Sequence, residues 1–189
     1  MYGLVNQSLQ GFIVKQYGKE SWDAIRSKAG VEVGTFVSME SYPDAMTYQL
    51  VGAASEYLSV DAEEILSGFG RHWVLVTGRE GYGELLSMSG ETLPEFLANL
   101  NNLHTRVGLA FQKLQPPEFR VLQDDGQQLR LQYISERDGL APFVVGLLEG
   151  LGEVFGQELD IELIQSKADV GFDEFRVRYQ AISNGTSNG

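Results

Sequence analysis

The sequence predicts an α+β fold: a helical N-terminal lobe followed by an antiparallel sheet that carries one packed helix. Three observations predict it. Apolar residues recur every three or four positions through residues 1–111. After Pro116-Pro117 the repeat changes to two. Asp125-Gly126, a favoured hairpin turn, falls inside that second region.

Each element follows in order. Leu4, Val5, Leu9, Phe12 and Ile13 place a first helix at the N-terminus. A short helix carrying Trp22 and Ile25 stops at Gly30. Pro43 suits the first turn of a third, with Met46, Leu50, Ala54 and Tyr57 on one side. Ser59 and Asp61 offer caps for a fourth, which carries Ile65, Leu66, Phe69, Trp73 and Val76. Residues 78–83 read as a loop. Thr92 and Pro94 open a fifth helix running to about Phe111, and Pro116-Pro117 ends it because proline cannot continue the ladder. Strands over 119–123 and 128–136 then flank the turn. A helix spans roughly 142–155. Leu159, Ile161 and Leu163, then Phe175, Val177 and Tyr179, mark two more strands. One domain is expected over 1–181, its helical lobe at about 1–111 and its mixed α/β lobe at about 117–181. Residues 182–189 are polar and glycine-rich and read as a disordered tail.

Composition narrows function. The chain has 189 residues, with 14 basic and 26 acidic side chains and a formal charge of −12. Such a chain repels phosphate, which argues against nucleic acid and anionic membrane as partners. It has no cysteine, which excludes disulfides, iron–sulfur clusters, thiol catalysis and covalently attached haem. It has two histidines, His72 and His104, too few for a multi-histidine metal site. No apolar run is long enough to span a membrane. The N-terminus shows neither a basic leader nor a signal-type apolar core, so a cytoplasmic location is expected.

Two features stand out from this background. Leu93, Phe96, Leu97, Leu100, Leu103, His104, Val107 and Phe111 form one face of a helix, with a histidine amid the apolar stripe. His104 is either a core histidine with a hydrogen-bonded ring or a ligand. His72 competes for a ligand role, and periodicity does not choose between them. The second feature is a strand face. Extending the row Leu129, Leu131, Tyr133 gives Ser135 and Arg137, so a phenol, a hydroxyl and a guanidinium continue the apolar side. Arg137 either reaches water along the strand end or pairs with an anion, most naturally a carboxylate held bidentately.

Both features fall in one spacing: His104, twelve residues, Pro117, fifteen residues, then Tyr133-x-Ser135-x-Arg137. This pattern resembles the H-NOX family, the haem–nitric oxide/oxygen-binding domain found in soluble guanylate cyclase and in stand-alone bacterial sensors. MYGLVN, LVGAASEYL, EGYGELL, LPEFLANLNNLHTRVGL and GLAPFVVGLLEGLG support it in order, over about residues 1–181.

The resemblance implies a non-covalent haem b lying between the two lobes. His104 is then the axial iron ligand. Tyr133, Ser135 and Arg137 clamp the propionates. Pro117 presses on the haem from the proximal side, Leu4 touches it from the first helix, and Leu103 belongs to the lining stripe. His72 returns to a structural role. Family members that hold oxygen use a distal tyrosine six positions after the clamp arginine. Here that position is Phe143, with Leu147 one turn on and Trp73 as the other distal residue.

The implied function is a gas sensor, not an enzyme. It binds nitric oxide and carbon monoxide at ferrous haem and signals to a separate partner, a histidine kinase or less often a diguanylate cyclase, through release of His104. The alternatives are an oxygen sensor and a haem carrier without signalling. A peroxidase or oxygenase would need a distal acid–base group, for which only His72 is available.

Overall fold

A computed structural model of the chain describes residues 1–111 and 113–182. The expected tail at 183–189 lies outside them. Helix α1 (Gly3–Tyr17) and α2 (Lys19–Lys28) are separated by Gly18 at φ 87°, a left-handed conformation that favours glycine. Helix α3 (Asp44–Leu58) starts after Pro43 and is closed by Ser59 at φ 55°. Ser59 therefore ends α3, and Asp61, at the cap position of α4 (Ala62–His72), makes no side-chain capping bond.

The chain does not loop at residues 78–83. Helix α4 runs on through a π-helical turn, Trp73–Gly78, into α5 (Arg79–Ser87). Neither Gly78 nor Gly83 breaks the helix. Gly78 is instead buried, and an added Cβ would meet the Trp73 carbonyl oxygen and Leu86 at 3.2 Å. Helix α6 (Leu93–Gly108) opens as expected, with the Thr92 hydroxyl accepting from the Glu95 amide. It ends at Gly108, well before Pro116-Pro117, and the prolines lie in the non-helical link to the sheet.

Strands β1 (Glu118–Asp124) and β2 (Gln128–Ile134) form the hairpin, with the Asp125 carboxylate accepting from the Gln127 and Gln128 amides and Gly126 at φ 87°. Helix α7 (Ala141–Val154), β3 (Gln157–Gln165), a short α8 (Lys167–Val170) and β4 (Asp173–Ala181) complete the chain. The sheet is antiparallel throughout, in the order β1-β2-β4-β3. Strand β2 ends at Ile134, so Ser135 and Arg137 lie in the loop that follows it.

Two apolar cores result. One joins α1–α4 through residues such as Leu9, Ile13, Ile25, Leu50 and Ile65. The other joins α6 and α7 to the sheet through Leu97, Leu129, Leu131, Leu148 and Phe175. Helix α6 thus shares its core with the sheet, and the cores divide earlier in the chain than the change of period. Among the described residues, no helix is long and apolar enough to cross a membrane.

Candidate functional site

A cavity of about 590 Å³ lies where the two cores meet. Its walls take Leu4 and Val5 from α1, Phe69 and Trp73 from α4 and the π turn, Leu103 and His104 from α6, and Phe143 and Leu147 from α7. Pro117, Tyr133, Ser135 and Arg137 also line it. All ten site residues expected from the sequence are therefore brought to one cavity, although they come from six separate segments. His72 is elsewhere. Its ring packs on Phe12 at 5.9 Å, and its Nε2 lies 3.3 Å from where a Cβ on Gly11 would stand. A second, more open cleft of about 880 Å³ beside the hairpin tip is lined by side chains such as Asp125, Gln128, Glu158 and Asp160 and gathers no histidine.

His104 is half-buried, and its Nδ1 is fully buried without a hydrogen-bond partner. Burial lowers its pKa from the ordinary value of 6.5, favouring the neutral imidazole that metal coordination requires. The Pro117 backbone carbonyl pulls weakly the other way and makes no hydrogen bond of standard geometry with Nδ1. His104 also borders the cavity, a position that a core histidine does not require. Phe119 packs on the imidazole at 6.1 Å and on Tyr133 at 5.2 Å.

Asn101, one turn before His104, was not singled out from the sequence. Its side-chain amide donates to the Phe119 carbonyl at 2.7 Å, and its Oδ1 accepts from the Phe119 amide at 3.0 Å. That two-point bond fastens the histidine-bearing helix to the first residues of β1. Its i−3 relation to His104 was the available signal, because residues three apart share a helix face.

At the polar end, Arg137 does not run out to water. Its Nε donates to Asp44 Oδ2 at 2.7 Å and its Nη1 to the Gln115 carbonyl at 3.0 Å, while Nη2 makes no hydrogen bond to a described residue. The Met1 amino group pairs with the other oxygen of the same carboxylate. Burial acts to raise the Asp44 pKa, but the bonds from Met1 and Arg137 outweigh it and hold the carboxyl below its ordinary value. Burial raises the Tyr133 phenol, against the opposing pull of the Ser135 hydroxyl and Arg137. The loop is held from both lobes. Tyr48 of α3 donates to the Asp138 carbonyl at 3.0 Å, and Lys167 of α8 donates to the Arg137 carbonyl at 3.2 Å. Asp44 and Tyr48 were not expected, since nothing local links α3 to a loop some ninety residues on.

Known proteins place this arrangement. A soluble guanylate cyclase of Caenorhabditis elegans, gcy-31, is 27% identical over 179 residues, which is 94% of this chain and 26% of the cyclase. The chain thus spans about a quarter of that relative's length. The crystal structure of an Fe(II) unliganded H-NOX protein from K. algicida matches with a TM-score of 0.84 at 24% identity, covering 95% of this chain and 97% of that one. An H-NOX protein from S. oneidensis in the Fe(II)NO ligation state matches at 0.83 and 19% identity, covering 95% and 99%. The profile of the family described as haem-NO-binding matches residues 2–163. With that match over most of its length and the H-NOX fold, the chain belongs to the haem-NO-binding family, a family of haem-based gas-sensor domains.

Proposed function

We propose that this chain senses nitric oxide and carbon monoxide at a non-covalent ferrous haem b and passes the signal to a separate protein. One observation carries the reading: a buried imidazole with an unpartnered nitrogen and an arginine–hydroxyl set border the same apolar cavity. The residues present fit a flat apolar ligand that carries a metal and carboxylates. The absence of cysteine supports a haem without thioether links. When bound, haem would supply a ferrous iron able to take up a diatomic gas.

This chain's residues do the rest. His104 would hold the iron through a ring nitrogen, on a helix fastened by Asn101. Arg137 and the hydroxyls of Ser135 and Tyr133 would hold the propionates by charge-assisted and neutral hydrogen bonds. Pro117 is stiff, follows the His104 helix and lines the cavity, which suits it to press on one face of the ligand. Leu4, Leu103, Trp73, Phe143 and Leu147 would exclude water and bound the gas site. With His104 holding the ligand or not, α6 would be tethered or free, while Leu4 would link the same ligand to α1. That gives two states with different contacts, which signalling requires. A cytoplasmic histidine kinase, or a diguanylate cyclase, is the partner we favour.

The test is the visible spectrum of the purified, reduced protein with and without nitric oxide. The parent should bind haem and show a five-coordinate nitrosyl spectrum. His104→Ala should lose tightly held haem or need added imidazole to keep it. His72→Ala should leave the spectrum nearly intact. The reverse pattern in the two variants would refute the ligand assignment.

A further inference from the structure

The π-helical turn at Trp73–Gly78 forms part of the cavity wall, through Trp73, Val74 and Gly78. π-helical turns are rare and gather at functional sites because they displace the following side chains relative to an α-helix. Upstream the helix is wedged. A Cβ on Gly70 would collide with the Phe143 carbonyl, and one on Gly146 with the Ser67 carbonyl, so α4 and α7 touch backbone to backbone. Gly150 brings α7 against the Val74 side chain in the same way, at 2.9 Å from its added Cβ. The first residues of the π turn therefore have a fixed neighbour, and the freedom lies further along it.

Near its end stands Thr77. Its Oγ1 is 2.6 Å from the Oγ of Ser8 on α1. Ser8 is 5% exposed, and neither hydroxyl has a second side-chain hydrogen-bond partner among the described residues. Losing Thr77 would leave the buried Ser8 hydroxyl unsatisfied, and losing Ser8 would leave the half-buried Thr77 hydroxyl without this partner. Ser8 lies one turn beyond Leu4 and Val5, which line the cavity, and Thr77 lies about one turn beyond Trp73 and Val74, which also line it. The hydroxyl pair thus joins two parts of the helical wall immediately behind the residues that face the cavity.

We infer that Ser8 and Thr77 are positioning residues. Their hydrogen bond holds the π turn, and so sets where Trp73 stands in the gas-facing wall, and it ties that placement to α1. π and α registers differ by one residue per turn, so a change of register would move Trp73 relative to Thr77 by a whole step. A displacement of α1 either breaks the bond or carries Thr77 and the π turn with it. The purpose assigned to this link rests on the gas-sensing reading, but its geometry does not.

The test uses the full, haem-loaded chain with Ser8→Ala, Thr77→Val and the double variant. Removing both hydroxyls leaves none unpaired, so the double variant should keep its urea midpoint close to the parent's. Its backbone amides at 73–79 should nonetheless exchange with solvent about tenfold faster, with no such change across β1–β4. With carbon monoxide as the probe, its infrared stretch should shift or split. Ser8→Thr should keep both parent properties. Unchanged exchange at 73–79 in the double variant, or faster exchange spread evenly over the chain, would overturn the inference. A parent that binds no carbon monoxide would instead refute the gas-sensing reading, and the exchange contrast would still decide the role of the pair.

Discussion

His104, Asn101 and Arg137 each depend on a partner distant in sequence or absent from the protein. The guanidinium of Arg137 spends one N–H on Asp44 and one on the Gln115 carbonyl, and its three other N–H groups make no hydrogen bond to a described residue, so they would serve the proposed propionate clamp. Arg137→Ala should therefore speed transfer of haem to an acceptor protein about tenfold or more, since a charge-assisted hydrogen bond contributes on the order of 1.5–3 kcal/mol. Ser135→Ala should matter less, and equal, unchanged transfer in both would remove the clamp. His72 tests a different balance. Burial, aided by Lys15 and opposed by Glu80, lowers its pKa below 6.5. The unfolded chain therefore takes up a proton at a higher pH than the folded one. The contribution of His72 to stability is complete above about pH 6.5 and is lost as the pH falls towards the folded value. Urea midpoints measured between pH 7.5 and 5.5 should fall less steeply in His72→Gln than in the parent.

Among the elements, α4 and α7 form the joint between the two cores, and glycine makes it. Gly146→Ala would drive a methyl into the Ser67 carbonyl, where backbone cannot yield cheaply. A cost of about 1–3 kcal/mol is expected in denaturant unfolding, the usual range for overpacking. Gly52 of α3 is the control, because a Cβ there meets nothing within 4 Å. Gly52→Ala should stabilise by roughly 0.5–1 kcal/mol through helix propensity alone. Similar effects from both substitutions would mean that the contact between α4 and α7 is looser than its geometry indicates. The same joint explains why residues 78–83 are helical. With α4 wedged against α7 and Gly78 buried, the chain does not turn out, and it continues through the π turn at 73–78 into α5.

For the whole molecule, the position of the cavity between two cores decides what it selects. Its helical and α7 walls meet through Phe69, which packs on Phe143 at 4.9 Å and edge-on to Trp73 at 6.3 Å. Phe69 thus contacts both distal residues. An oxygen complex of ferrous haem is stabilised by a hydrogen-bond donor near the bound gas, and Phe143 offers none. Nitric oxide and carbon monoxide do not depend on such a donor. The reduced protein should therefore bind both and show no long-lived oxygen complex in air, as read from its visible spectrum. Phe143→Tyr adds a hydroxyl whose net worth is about 0.5–1.5 kcal/mol, and it should prolong the oxygen complex by up to roughly tenfold. A stable oxygen complex in the parent would favour an oxygen sensor with Trp73 as donor.

The α+β class, the hairpin at Asp125-Gly126, the cap at Thr92 and the apolar face bearing His104 were legible in the sequence. Each depends on periodicity or on bonds within a few residues, and such patterns are printed along the chain. The spacing of His104, Pro117 and the Tyr-x-Ser-x-Arg row was legible for the same reason. The end of α6 eight residues before Pro116-Pro117, the π turn at 73–78, the helix in place of a loop after it, the Asp44 partner of Arg137 and the Asn101 bond to Phe119 were not. These depend on which surfaces meet once the two cores have formed. A buried backbone or charged group then takes the nearest partner, whatever its distance in sequence. Tertiary structure alone brought the His104 ring beside the Pro117 carbonyl and into the wall of the cavity.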